Sequence, residues 1–253
     1  MVEWIRGAGP WPDGVRHGFT TRAGGVSTGA LRSLNLAKRP GEHPDALAEN
    51  WRRAVDGLAP GLAPNGVAIV HQVHGAAVIA VDAPAGPFMP LGEADALVTC
   101  RSGVVLAIRV ADCVPIVVAG SGAVAAIHAG WRGVAAGVVA ASIRAMRAQG
   151  DDGALVAVVG PHASGAAYEV GDEVVDGLVA AGLPIDVVVV GRTARGRARV
   201  DLGGAVAWQL REAGVGTIGA TGGCTLTDER FFSHRRDGEG AGRMAALIVR
   251  GVA

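Results

Sequence analysis

The strongest constraint on this chain is its punctuation. Short runs rich in Val and Ile recur along it, each bounded by Gly, Pro or Asp. Such runs read as strands. They fall at Val67–Val70, Ala77–Val81, Val104–Val110, Pro115–Ala119, Ala123–Ile127, Leu155–Val159, Asp186–Val190 and Ala245–Val249. In several, polarity or size alternates, as where Leu106, Ile108 and Val110 flank Ala107 and Arg109. That period predicts mixed sheets with one face buried harder than the other.

Helical spacing appears between these runs. Pro44–Leu58 sets Leu47, Trp51, Ala54, Val55 and Leu58 on one face, with Asp45 near the positive end of the helix dipole. Gly133–Arg147 repeats the pattern with Val134, Val138, Ala141 and Met146, and Glu173–Ala181 and Gly203–Ala213 are shorter candidates. Ala83–Pro90 and Gly191–Arg199 read as surface loops. The expectation is an α/β (α+β) fold of mixed β-sheets flanked by helices, forming a single domain over residues 1–253.

Composition narrows the function. Half the residues are hydrophobic and mostly Ala and Val, which predicts a tightly packed interior of small side chains. Lys plus Arg equals Asp plus Glu, 23 against 23, and no block of like charge stands out. A nucleic-acid groove or an anionic membrane surface leaves a basic excess, so neither is expected as a partner. Cys100, Cys113 and Cys224 are too few for a disulfide framework and suit a reducing compartment. Met1–Arg6 lacks the pattern of a signal peptide, and no uncharged apolar stretch is long enough to span a bilayer. A cytoplasmic protein, monomer or homodimer, is the expectation.

Three segments carry chemistry. Cys113 lies between two apolar runs, where a sheet presents side chains to a pocket. His128 ends Ala123–Ile127 and precedes Ala-Gly-Trp-Arg-Gly, which reads as strand, tight turn and then a helix from about Gly133. His71 and His74 follow Val67–Val70. Faces alternate along a strand, so one of that pair is expected to face a site and the other not. Spacing alone does not choose between them.

The motifs resemble those of the YfiH-type laccase-domain family, regarded as purine nucleoside phosphorylases. The resemblance rests on Phe19–Ser27, Ser33–Leu36, His71–Gly75, Ala94–Ala96, Ala111–Pro115 and His128–Gly133, and continues through Gly160–Pro161, Tyr168–Gly171, Asp201–Leu202, Cys224–Thr225, Phe231–Asp237 and Gly242–Arg243. These occur in family order over nearly the whole chain. His234 and His162 stand where relatives commonly carry an aromatic and an apolar residue.

The resemblance implies a YfiH-like fold, similar to that of the cytotoxic-necrotising-factor cysteine hydrolases. It implies a metal site of His74, Cys113 and His128, with His71 outside it. Two imidazoles and a thiolate suit zinc and would also accept copper. The implied reaction is phosphorolysis of adenosine, inosine, guanosine or methylthioadenosine by inorganic phosphate, with adenosine deamination as a second activity. For phosphate, Arg22 in its Gly-rich turn is the first candidate, with Arg235, Arg236 and Arg243 as a second cluster. Arg132 is a candidate brace to Asp112, Phe232 a candidate stacking surface, and Asn35 completes the expected substrate contacts. Two alternatives stand beside this reading. One is a Cys–His hydrolase or deamidase, with Cys113 as nucleophile and His128 as base. The other is a copper-dependent polyphenol oxidase, although the seven histidines include no His-x-His pair of the kind a trinuclear copper cluster needs.

Overall fold

Two sheets lie face to face between two layers of helix. The computed structural model describes residues 1–252. One sheet has five strands in the order Trp4–Ile5, Arg16–Thr20, Met244–Val249, Val105–Val110 and Val67–Ala68. The other has six, in the order Thr217–Ala220, Val156–Val159, Val114–Ala119, Val124–Ala129, Ala96–Thr99 and Val78–Ala80. Both are mixed: Val67–Ala68 pairs parallel with Val105–Val110, whereas Val114–Ala119 pairs antiparallel with both of its neighbours.

The alternation along single strands shows how the layers form. Leu106 and Ile108 face the other sheet, with Leu97, Val117 and Val158, while Val105 and Ala107 face the helix Pro44–Leu58. Ile116 and Val118 turn the opposite way, towards the helices Val138–Ala148, Asp172–Ala180 and Leu202–Glu212. Both faces of the central strands are therefore buried, where one face was expected to be buried harder than the other. The near-continuous apolar runs are the sequence mark of that double burial.

Pro44–Leu58 matches its expected bounds. Pro44 begins it, His43 accepts a hydrogen bond from Asp45 N, and the buried stripe contains Trp51. The next helical pattern breaks in two, Trp131–Ala135 and Val138–Ala148, because Gly137 adopts a left-handed φ of 81°. Two other expectations change. Asp186–Val190 is divided between the helical turn Ile185–Val188 and the strand Val189–Arg192. That strand pairs with Ala198–Val200, so Gly191–Arg199 is mostly a hairpin. With Glu169–Val170 it makes a third, three-stranded sheet.

The small-residue interior lets aromatic rings lie on backbone. A Cβ at Gly160 would come within 2.3 Å of the Phe19 ring, and one at Gly242 within 2.7 Å of Phe232. Among the described residues no helix is long and apolar enough to cross a membrane.

Candidate metal centre

The chain passes from the five-stranded to the six-stranded sheet twice at one place. After Val67–Ala68 it runs through His71–Gly75 to Val78–Ala80, and after Val105–Val110 it runs through Ala111–Cys113 to Val114–Ala119. His74 and Cys113 sit on these two crossings. His128 lies opposite Pro115 in the pairing of Val114–Ala119 with Val124–Ala129. The ligand atoms of His74, Cys113 and His128 all lie within 4.8 Å of one another. The two imidazoles meet edge to face, with centroids 4.9 Å apart.

Asp95 organises this cluster, a role the sequence did not disclose. It precedes the strand Ala96–Thr99, which pairs with Val124–Ala129, and it is fully buried. Its Oδ1 lies 2.7 Å from His128 Nδ1. The same carboxylate accepts hydrogen bonds from the backbone N–H groups of Val73, His74 and Gly75, at 3.2, 3.0 and 2.6 Å. These bonds hold His74 at a left-handed φ of 61°, a conformation that costs a non-glycine residue roughly 1–2 kcal/mol. Burial favours protonation of Asp95, but the His128 and backbone hydrogen bonds outweigh it and lower its pKa.

The donor set fits a metal ion. Asp95 engages Nδ1 of His128 and leaves Nε2 to ligate, the usual carboxylate–histidine arrangement behind a metal. Gly130 leaves the space clear: a Cβ there would lie 2.7 Å from His74 Cδ2 and 3.2 Å from Cys113 Sγ. Burial opposes ionisation of Cys113, but the charge and hydrogen bonds of His128 and His74 prevail and lower its pKa to about 6. His128 moves the other way. Burial alone would lower its pKa, and Cys113 with Asp95 raises it. Thiolate is the form a metal takes. Among the described residues this is the one such cluster, so the set needed for three coppers has no counterpart.

The cluster opens onto a cavity of about 620 Å³, within the usual range for small-molecule sites. Lys38, Arg39, Arg109, Arg132, Arg235 and Arg243 line it, against a single carboxylate, Asp112. The oxygens of Asp112 are engaged by Thr225 Oγ1 at 2.6 Å and Arg235 N at 2.7 Å. Arg132 lies over the ring of Trp131 instead of bracing Asp112, and Arg235 lies over Tyr168.

Several expected contacts fall elsewhere. Arg22 donates from Nε to Arg32 O at 2.7 Å, and its guanidinium covers Phe232, so it belongs to the packing around its own turn. Phe232 is buried between the sheets. Asn35 is also buried, and its side chain bonds Ala37 O, Glu42 and Arg243 N. Arg236 is spent on Thr225 O, Phe231 O and Asp237. Arg235 and Arg243 do line the cavity. His71 and His74 both line it, because His74 stands on a turn where strand alternation does not apply. His234 faces the cavity as well, while His162 bonds Gly160 O.

The fold and cluster define a two-sheet α/β protein with a His₂Cys site at the seam of its sheets. The chain belongs to the multi-copper polyphenol oxidoreductase laccase family, whose model matches residues 16–251. It is 40% identical over 237 residues to a purine nucleoside phosphorylase of Deinococcus radiodurans, covering 92% of this chain and 88% of the relative. YlmD of Geobacillus stearothermophilus superposes with a TM-score of 0.89 at 34% identity, covering 98% of this chain and 96% of that one. YfiH of Bacillus licheniformis superposes with a TM-score of 0.85 at 30% identity, covering 94% and 93%. Similarity to relatives of that name supports an enzyme of the same general kind.

Proposed function

We propose that this protein is a zinc-dependent purine nucleoside phosphorylase that also deaminates adenosine. One observation carries the reading: a single cavity joins the His₂Cys cluster to a cationic wall whose one carboxylate is already engaged. The co-substrate such a wall favours is an anion, and phosphate is that anion in phosphorolysis. The relatives named purine nucleoside phosphorylase point to the same reaction.

In phosphorolysis a phosphate oxygen bonds to C1′ of the pentose while the C1′–N9 bond breaks. The electron pair leaves with the base, which takes up a proton. Free base and pentose 1-phosphate result. This chain's residues bind and orient: the arginines hold the anion in place and neutralise it. Tyr168 lines the cavity, and burial raises its hydroxyl pKa, so it stays protonated as a hydrogen-bond donor. His74, Cys113 and His128 would hold zinc, with Asp95 fixing His128. When bound, zinc supplies Lewis acidity at the floor of the cavity.

Product analysis tests the reading. Protein assayed for zinc is incubated with adenosine, with and without phosphate. Adenine and ribose 1-phosphate that appear only with phosphate support phosphorolysis, and inosine supports deamination. Unchanged adenosine in both samples refutes the proposal.

A Cys–His hydrolase is the second reading, favoured by the relation of Asp95 to His128 to Cys113. A carboxylate orients the imidazole, and the imidazole lowers the pKa of the thiol, as in a cysteine nucleophile. Zinc would block that chemistry by taking the thiolate. Stoichiometric zinc in protein purified without added metal decides against the hydrolase, and zinc-free protein alkylated at Cys113 with loss of amide hydrolysis decides for it.

A further inference from the structure

Among the described residues none of the six cations lining the cavity forms a salt bridge, and three of them, Arg39, Arg109 and Arg243, are also partly buried and lie on no aromatic ring. Each guanidinium carries five N–H donors. Among the described residues Arg39 makes no side-chain hydrogen bond, and its Nε is buried without a partner. Arg109 spends only Nη2, on Val70 O at 2.9 Å. Arg243 spends only Nη1, on Ala241 O and Gly242 O. None of the three forms a salt bridge among the described residues.

The fold nevertheless holds them together. Burial disfavours the charge on Arg243, as does Arg39 and, to a smaller extent, Arg109, while Cys113 and Asp112 favour it, so the lowering prevails. Burial alone does the same to Arg109. The backbones beneath them are clamped by two side-chain amides, one half-buried and one buried. Gln72 accepts from Arg109 N at 2.9 Å and donates to Arg109 O at 2.8 Å. Asn35 Oδ1 accepts from Arg243 N at 2.9 Å, and its Nδ2 donates to Ala37 O beside Arg39. Like charges that line one cavity with spare donors are offset by an anion that takes those donors. The remaining cations differ, since Arg132 and Arg235 lie on aromatic rings and Lys38 is exposed.

We propose that Arg39, Arg109 and Arg243 form the subsite for inorganic phosphate. This rests on the phosphorylase reading for its purpose, but not for its geometry. Phosphate bound there lies in the cavity that the His₂Cys cluster and all three arginines line.

Calorimetric titration of the intact, zinc-assayed protein with inorganic phosphate tests the subsite, alongside KM for phosphate and for adenosine. Arg39→Gln breaks no hydrogen bond within the protein and is the cleanest variant, Arg243→Gln is the second, and Arg109→Lys keeps a cation at the buried position. Arg101→Gln, on the surface against Asp82, is the control. Arg39→Gln and Arg243→Gln are each expected to weaken phosphate by about tenfold, as loss of a charged hydrogen-bond donor does, with the adenosine KM and zinc content unchanged. Arg39→Gln and Arg243→Gln both binding phosphate as wild type does would overturn the subsite, as would failure of the wild type to bind phosphate. The two proposals fail separately. Phosphorolysis with phosphate affinity unmoved by these variants removes the subsite alone. Arginine-dependent phosphate binding without release of ribose 1-phosphate removes the reaction alone.

Discussion

Asp95 touches both histidines of the cluster, by different routes. Its Oδ1 lies 2.7 Å from the His128 ring, and its carboxylate holds the backbone N–H of His74 at 3.0 Å. One buried side chain thus fixes the orientation of one ligand and the turn that carries another. Asp95→Asn keeps the shape but weakens both links. It is expected to lower metal affinity about 10–100-fold, the usual effect of losing a carboxylate behind a metal-bound histidine. Competition with a chromogenic chelator measures this, and wild-type affinity in Asp95→Asn would remove Asp95 from the site.

Gly130 is where packing sets the cluster's spacing. Gly130→Ala places a methyl group 2.7 Å from His74 Cδ2 and 3.2 Å from Cys113 Sγ. The φ of Gly130 is −76°, so the substitution adds no backbone strain. Metal retention is expected to fall with little change in the far-ultraviolet circular dichroism spectrum. Full metal content in Gly130→Ala would show that the ring of His74 can move aside from that 2.7 Å approach without loss of the ion.

The ligand set separates His74 from His71, although both line the cavity. Cys113→Ala, His74→Ala and His128→Ala should each lose stoichiometric metal, and His71→Ala should retain it. Elemental analysis of the four variants checks this. Metal lost from His71→Ala and kept in His74→Ala would reverse the assignment.

Cys113 should titrate as a thiolate in chelator-treated protein. Alkylation by iodoacetamide is expected to reach half its maximal rate near pH 6, since the Cys113 pKa is lowered to about 6. His128→Asn removes the group that stabilises the thiolate, so its midpoint should move up towards the ordinary thiol value of about 8.5. An unmoved midpoint would mean that His128 does not activate the sulfur.

Stability against pH should report His17, which is remote from the cluster. It is buried against Trp11 with centroids 3.9 Å apart, and its Nε2 has no partner among the described residues. Burial, with a smaller contribution from Arg6, lowers its pKa to about 4. Between that value and the ordinary histidine pKa the unfolded chain binds the extra proton and the folded chain does not. Folding stability is therefore complete above the ordinary pKa. It falls by up to about 1.4 kcal/mol per pH unit as the pH drops towards the folded value, then levels. Urea midpoints of wild type and His17→Gln across this range should differ by that slope, and parallel curves would discount His17.

The sequence revealed most where a local pattern and the tertiary environment agree. Pro44–Leu58 was legible to the residue because its apolar stripe and Asp45 near its start mark one helix. Val105–Val110 and Val114–Ala119 were legible because double burial leaves almost no polar residue in them. Arg16–Thr20 was not, since its Arg, His, Gly and Thr hide a strand that tertiary pairing stabilises. Val189–Arg192 was caught only at Val189 and Val190, and Ala198–Val200 was missed, for a similar reason: the arginines of their hairpin read as loop.

At the site, family resemblance supplied His74, Cys113 and His128, but their convergence is a property of two sheets meeting. Asp95 lay in view within Ala94–Ala96, and nothing local shows that its oxygens face a ring 33 residues away. Arg22 looked suited to phosphate because it neighbours glycines, yet those glycines serve packing: a Cβ at Gly24 would come within 2.3 Å of Met1 O. Arg243 was in view through its Gly242–Arg243 motif, but Arg39 and Arg109 lie far from it in the chain and outside any quoted motif, so nothing local tied them to it.

The two crossings of the chain give the cluster a mechanical role. His74 and Cys113 ride on links between the sheets, so an ion gripped there rivets one half of the sandwich to the other. Its departure would then loosen the whole body at its hinge line, and metal supply would set the lifetime of the folded chain as well as its chemistry.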